Sequence, residues 1–179
     1  MMTMTALAVA ALLMAPVGAE LALAPAAAKD QVTQVKTDLY WLAASGGREF
    51  DGPWAQGRES NGESLYVCAV EAFGGRHAGK ARPGLDGCHF GHNGREYKLS
   101  TYEVLINDPG SWRYHTPRAP IPDGAFQIGH EADMTPLYLC LAEYRGGYQP
   151  GEIGAHTKGC RIGYSGKELK IRVYQLYVD

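Results

Sequence analysis

The sequence predicts an all-β fold: two tandem antiparallel β repeats packed about a pseudo-two-fold axis. Three observations predict it. The 179 residues include 23 Gly, 11 Tyr and 10 Pro, a composition of many turns with aromatic strands between them. The apolar runs are short and bounded by glycine. And "LYVCAVEAFGGRHAGK" at 65–80 returns as "LYLCLAEYRGGYQPGE" at 137–152. The offset is 72 residues and holds without a gap from Trp54/Phe126 to Asn107/Asp179. Glu59/Glu131, Cys68/Cys140, Gly79/Gly151, Cys88/Cys160 and Glu96/Glu168 are among the matched pairs.

In chain order, residues 1–19 read as an export signal. "ALAVAALLM" (6–14) supplies the apolar run and "VGA" (17–19) the small residues for cleavage, with a second cut offered after Ala28. Residues 20–39 are a linker. The first repeat occupies 40–107, the turn "NDPGS" follows, and the second repeat occupies 111–179. In each, "SLYVCAVEA" or "PLYLCLAEY" has the β-branched and aromatic content of a strand, as do "REYKLSTYEVLI" and "KELKIRVYQLYV". "HNGRE" and "YSGKE" are hairpin turns in which glycine accepts positive φ. No helix is expected after the signal. A repeat of this size has little core of its own, so the two copies should bury their Leu, Val and Tyr faces against each other.

Four cysteines in an exported chain suggest disulfides. Each copy separates its pair by 20 residues, which permits Cys68–Cys88 and Cys140–Cys160. Bridges between the copies, Cys68–Cys140 with Cys88–Cys160, and four free thiols are the alternatives. "CHFGH" (Cys88, His89, His92) has a zinc-like look, but the second copy reads "CRIGY", so no metal and no other cofactor is expected. A net charge of −2 without blocks of like charge points to no nucleic acid or anionic membrane. Apart from the signal, no stretch is apolar enough to span a bilayer.

Gly74, Gly79 and Lys80 match G-x-x-x-x-G-K, the spacing of a phosphate-binding loop. Ala81 stands where that loop needs Ser or Thr, and the Gly- and Pro-rich "RPGLDGCHFGHNG" cannot open a helix. Aligned with "GGYQPGEI", the segment reads as a turn between strands with Lys80 at its tip.

The pattern carried by "LYVC", "AGK", "GC", "NGRE" and "YEVL" in one copy, and by "GHE", "LYLC", "PGE", "GC" and "SGKE" in the other, resembles the DM9 repeat. That resemblance implies a compact all-β pair of repeats. Some members are mannose-binding lectins, in which a carboxylate of the G-x-D segment and the Lys of P-G-K contact the sugar. Those positions map onto Glu59 and Lys80 in the first copy and onto Glu131 and Glu152 in the second.

The function expected is therefore an exported, mannose-type carbohydrate-binding module, secreted or periplasmic, whose partner is a glycan or mannose-containing polysaccharide. Glu59 and Asn61 would meet sugar hydroxyls, Lys80 would donate, and Trp54 or Tyr66 would supply a ring. The alternative is a structural or adhesion module of the cell envelope. An enzyme is not expected, since no nucleophile, base and oxyanion set assembles. In the second copy Glu131 and Glu152 would repel each other without an ammonium group. Binding should then favour the first copy, with a homo-oligomer as the route to avidity.

Overall fold

The computed structural model of this protein describes residues 40–47, 55–106 and 110–178. The signal, the whole linker, Trp54 and most of "NDPGS" lie outside them. Seven strands form a first set: β1 (Tyr40–Ser45), β2 (Gly57–Arg58), β3 (Ser64–Ala72), β4 (Gly75–Ala81), β5 (Cys88–His92), β6 (Arg95–Leu99) and β7 (Thr101–Ile106). A second set follows: β8 (Ser111–His115), β9 (Gln127–His130), β10 (Pro136–Tyr144), β11 (Gly147–Gly154), β12 (Cys160–Tyr164), β13 (Lys167–Ile171) and β14 (Tyr174–Val178). No helix occurs among the described residues, and the strands pair antiparallel.

Local chemistry explains the hairpins. Phe73–Gly74, Asn93–Gly94, Arg145–Gly146 and Ser165–Gly166 all place two successive residues at positive φ. These pairs twist in the sense of the strands they join, which is why two-residue hairpin turns favour them. The turn of "GGRHAGKA" is thus Phe73–Gly74. Lys80 does not tip it, contrary to the sequence expectation: it lies inside β4, buried, opposite Val67 and His89. Gly79 has a different use from Gly74. A Cβ there would sit 2.1 Å from the His89 carbonyl oxygen, so this glycine lets β5 approach β4.

β3 and β10 are buried on both faces, which explains their nearly continuous apolar runs. One core cluster lies within the first set, around Cys68, Phe90, Tyr102 and Val104. A second lies within the other set, around Cys140, Ile162, Tyr174 and Leu176. The third draws on both: Val67, Ala78 and Leu105 pack with Ile128, Leu139 and Tyr177. Truncating a residue such as Leu139 would cost about 2–5 kcal/mol. The two disulfides are Cys68–Cys88 and Cys140–Cys160; each ties strands on either side of a third, β3 to β5 across β4 and β10 to β12 across β11.

The two sets interlock. β2 pairs with its own neighbour β3 and also with β11, through Arg58 and Tyr148. β9 pairs with β10 and also with β4, through His130 and Arg76. β6 meets β13 at Arg95 and Lys167. Because β3 also pairs with β4, the order β3-β2-β11-β12-β13-β6-β5-β4 closes on itself as an antiparallel barrel. At the β5–β12 contact a Cβ on Gly91 would lie 2.8 Å from the Ile162 carbonyl oxygen, and one on Gly163 3.0 Å from that of Phe90. This interlocking brings side chains of both sets into two polar clusters.

Candidate functional site

In the first cluster, Lys80 from β4 reaches across to Gln149 on β11 and to Glu59 on the turn after β2. Lys80 Nζ donates to Gln149 Oε1 at 2.6 Å and lies 3.4 Å from Glu59 Oε1; Gln149 Nε2 donates to Glu59 Oε2 at 2.9 Å. The three side chains form a closed triangle. The ammonium also stands 4.6 Å from the centre of the Tyr164 ring, contributed by β12. Burial pulls the Lys80 ammonium below its ordinary pKa, against the opposing pull of Glu59 and Glu96. An ammonium has three donors, so Gln149 and Glu59 leave one for the adjoining cleft.

That cleft, about 400 Å³, is lined by Glu59, Asn61, Lys80, Arg82, His89 and Tyr164 among others. The volume is near the lower end for small-molecule sites, suited to one compact polar ligand. Asn61 stands on its exposed rim, where its amide is engaged by Glu63. On the wall, His89 Nδ1 lies 3.3 Å from Glu96 Oε1, and Glu96 Oε2 accepts from Gly166 N–H at 2.7 Å. Burial raises the Glu96 pKa, but the hydrogen bonds from His89 and Gly166 outweigh it and hold the carboxyl below its ordinary value.

The second cluster occupies the corresponding positions at the 72-residue offset: Glu131 for Glu59, Glu152 for Lys80, Arg161 for His89. Exchanged between the sets, His77 stands for Gln149 and His92 for Tyr164. Glu152 has no solvent exposure. It accepts from Ala78 N–H at 2.8 Å and Arg161 Nη2 at 2.7 Å, and its Oε1 is 3.0 Å from His77 Nδ1. Arg161 Nη2 also lies 2.7 Å from Glu131 Oε1. The expected repulsion between two unaccompanied carboxylates is therefore wrong. Arg161, directly across from Glu152 in the β11–β12 register, sits between them. Burial opposes its charge, but Glu152 and Glu131 more than compensate and raise its pKa. Burial also lowers the pKa of His92, which His77 and Arg161 lower further.

The structure thus brings Glu59 and Lys80 into contact, puts Asn61 at their rim, and joins Glu131 to Glu152 through a guanidinium. Sequence reasoning missed Gln149, Tyr164, His77 and Arg161, and set His92 aside because its counterpart in the second copy is Tyr164. One signal pointed to Arg161: where Lys80 gives way to Glu152, the adjacent-strand His89 gives way to Arg161. Tyr66, offered as a sugar-facing ring, is packed instead against the first core cluster.

The family model described as "DM9 repeat" matches residues 60–171. No curated protein matches the chain in sequence. Among solved structures, the nematode sperm cell motility protein MFP2B is similar in fold, with a TM-score of 0.50 at 15% identity over 79% of this chain. The match covers 47% of the MFP2B chain, so this chain spans about half the length of that neighbour.

Proposed function

The chain belongs to the DM9 repeat family, and from that premise we propose that it is an exported carbohydrate-binding module, mannose-type in preference, that binds without turning over its ligand. The observation that carries the reading is the Glu59–Lys80–Gln149 triangle at the base of a small polar cleft. A pyranose presents adjacent hydroxyls, each donor and acceptor. Glu59 keeps unused lone pairs for the donors, and Lys80 keeps one N–H for an acceptor. Gln149 holds both in place before the ligand arrives, so little ordering cost is added on binding. Asn61 reaches an outlying hydroxyl only by exchanging its two exposed hydrogen bonds with Glu63. Tyr164 offers the apolar face that Trp54 or Tyr66 was expected to provide.

Both disulfides suit an oxidising compartment, which supports export. All four cysteines are engaged in them, which removes the thiol nucleophile from consideration. We further propose that residues 40–107 and 111–179 are tandem repeats about a pseudo-two-fold axis. Supporting this are Arg95 and Lys167, equivalent positions paired with each other, and the reciprocal hydrogen bonds Gly94 N–H to Glu168 and Gly166 N–H to Glu96.

Calorimetric titration of the full chain with mannose and a mannose-rich oligosaccharide tests the reading. One binding event per chain is expected at the first cluster. Glu59→Gln and Lys80→Met should each weaken it by at least about tenfold, or about 1.4 kcal/mol. Silence across a broad glycan array would sink the proposal and leave the adhesion module standing.

A further inference from the structure

The second cluster is built differently enough to suggest another ligand. His77 is fully buried on β4. Its Nδ1 faces Glu152 Oε1 at 3.0 Å, and Glu152 already accepts from Ala78 and Arg161. A carboxylate in that setting fixes the imidazole proton on Nδ1 and leaves a lone pair on Nε2. That Nε2 is buried and has no hydrogen-bond partner among the described residues. The Nδ1 of His92 is buried and unpartnered in the same way. The two rings lie 4.8 Å apart, and one ligating atom from each of His77, His92 and Glu131 falls within 4.8 Å of the others.

We propose that His77, His92 and Glu131 form a binding site for a divalent transition metal of the zinc type. Two imidazoles and one carboxylate are a donor set for borderline metals; calcium and magnesium prefer oxygen alone. The Glu152–His77 pair supplies the carboxylate behind the ligating histidine that orients such rings. Phe73 performs the same task for His92, stacking on it at 4.4 Å with the rings nearly parallel. Asn93 Nδ2 lies 2.9 Å from His92 Nε2. A half-turn of that amide presents Oδ1, which accepts from Nε2–H and frees Nδ1 for the metal. Donor atoms about a tetrahedral zinc stand about 3.4 Å apart, so the site must draw in slightly. His92 and Glu131, both only half-buried, can make that movement, whereas His77 is fixed.

Charge favours occupancy, since Glu131 and Glu152 exceed Arg161 by one negative charge. Arg161 holds Glu131 through Oε1 and leaves the other oxygen to coordinate. Three protein ligands leave a position open towards the groove lined by Phe73, Asp133, Thr135 and His156, as in zinc sites that take a fourth, exchangeable ligand. This inference is independent of sugar binding at the first cluster.

The test is calorimetry of the tag-free full chain, stripped with chelator, against zinc chloride, with cobalt(II) as a spectroscopic probe. One zinc per chain is expected, with a higher melting temperature, no response to calcium, and a cobalt spectrum of low coordination number. His92→Gln and Glu131→Gln, at half-buried positions that should still fold, are each expected to weaken zinc binding by at least about 100-fold, more than loss of an outer-shell partner alone. No stoichiometric zinc binding, or binding unchanged in either variant, would overturn the proposal.

Discussion

The two polar clusters occupy equivalent places in one barrel and solve the same electrostatic problem differently. In the first the buried cation is Lys80 on β4, flanked by Gln149 and Glu59. In the second the β4-equivalent position on β11 carries Glu152, and the cation is Arg161 on the neighbouring strand β12. Reversing the charge on one strand is offset by a charge gained on the next. A single aligned position is therefore a poor guide to what a cluster can bind, and the register neighbour has to be read with it. The pair His77 and His92 stands only in the second cluster, where Glu152 holds one of them. The proposed sugar site uses the first arrangement and the proposed metal site the second.

The sharpest way to break the comparison is to force the first pattern on the second cluster at one position only. Glu152→Lys places an ammonium beside Arg161 and strips His77 and Ala78 N–H of their acceptor. We expect a loss of about 3–5 kcal/mol in urea unfolding, and no new sugar site. Adding Arg161→His to that variant restores the pairing of the first cluster. The double variant should recover at least about 1 kcal/mol over the sum of the singles. Strict additivity would show that the two positions are not coupled.

A smaller effect concerns the bridges. Replacing Cys68 and Cys88 by Ala, or Cys140 and Cys160, opens loops of equal length, 20 residues in sequence separation. Each loss should cost about 3 kcal/mol, and the two should agree within 1 kcal/mol or so. A large inequality would mean that one half depends on its bridge for more than chain entropy.

The smallest effect is in pH. Lys80 has a lowered pKa in the folded state, first because it is buried. Between that value and the ordinary 10.5, the unfolded chain holds the proton that the folded chain has released. Stability from this group therefore rises with pH across that window, while sugar affinity falls as the ammonium donor is lost. Glu96 acts in the opposite range. Its folded-state pKa lies below 4.5, so its contribution is complete above 4.5 and fades on acidification through the lowered value. Lys80→Met should remove the alkaline limb and only weaken the acidic one, because the His89 and Gly166 hydrogen bonds lower the Glu96 pKa more than Lys80 does, as denaturant midpoints across the pH range would show.

Much of the fold was legible because the strands, the four hairpin turns and both cysteine pairs recur at one offset. Positive φ at Asn93, Gly94 and Gly166 follows from residue type, whereas at Ser165 it is imposed by the hairpin it sits in. The position of Lys80 was not legible. Gly74 and Gly79 look alike in sequence, yet one sits in a turn and the other clears space for a neighbouring strand. Glu59 and Lys80 could be paired by family resemblance. Gln149 and Tyr164 could not, because they come from the other half of the chain, and only the β2–β11 and β4–β9 pairings reveal that exchange. The expected repulsion at Glu152 failed for the same reason: the residue that resolves it lies on the next strand.

That exchange also imposes an order on the chain's synthesis. Arg58 must wait for Tyr148, Arg76 for His130 and Arg95 for Lys167. Loop closure over such separations is slow compared with hairpin formation. While the ribosome is still making the second half, the first can fold its hairpins but cannot close the barrel. Its unpaired edges at β2 and β4 remain open to other chains throughout that interval. The nascent protein is thus open to strand exchange with its neighbours until Tyr148, His130 and Lys167 have been made and paired, and any pause before then would lengthen the exposure.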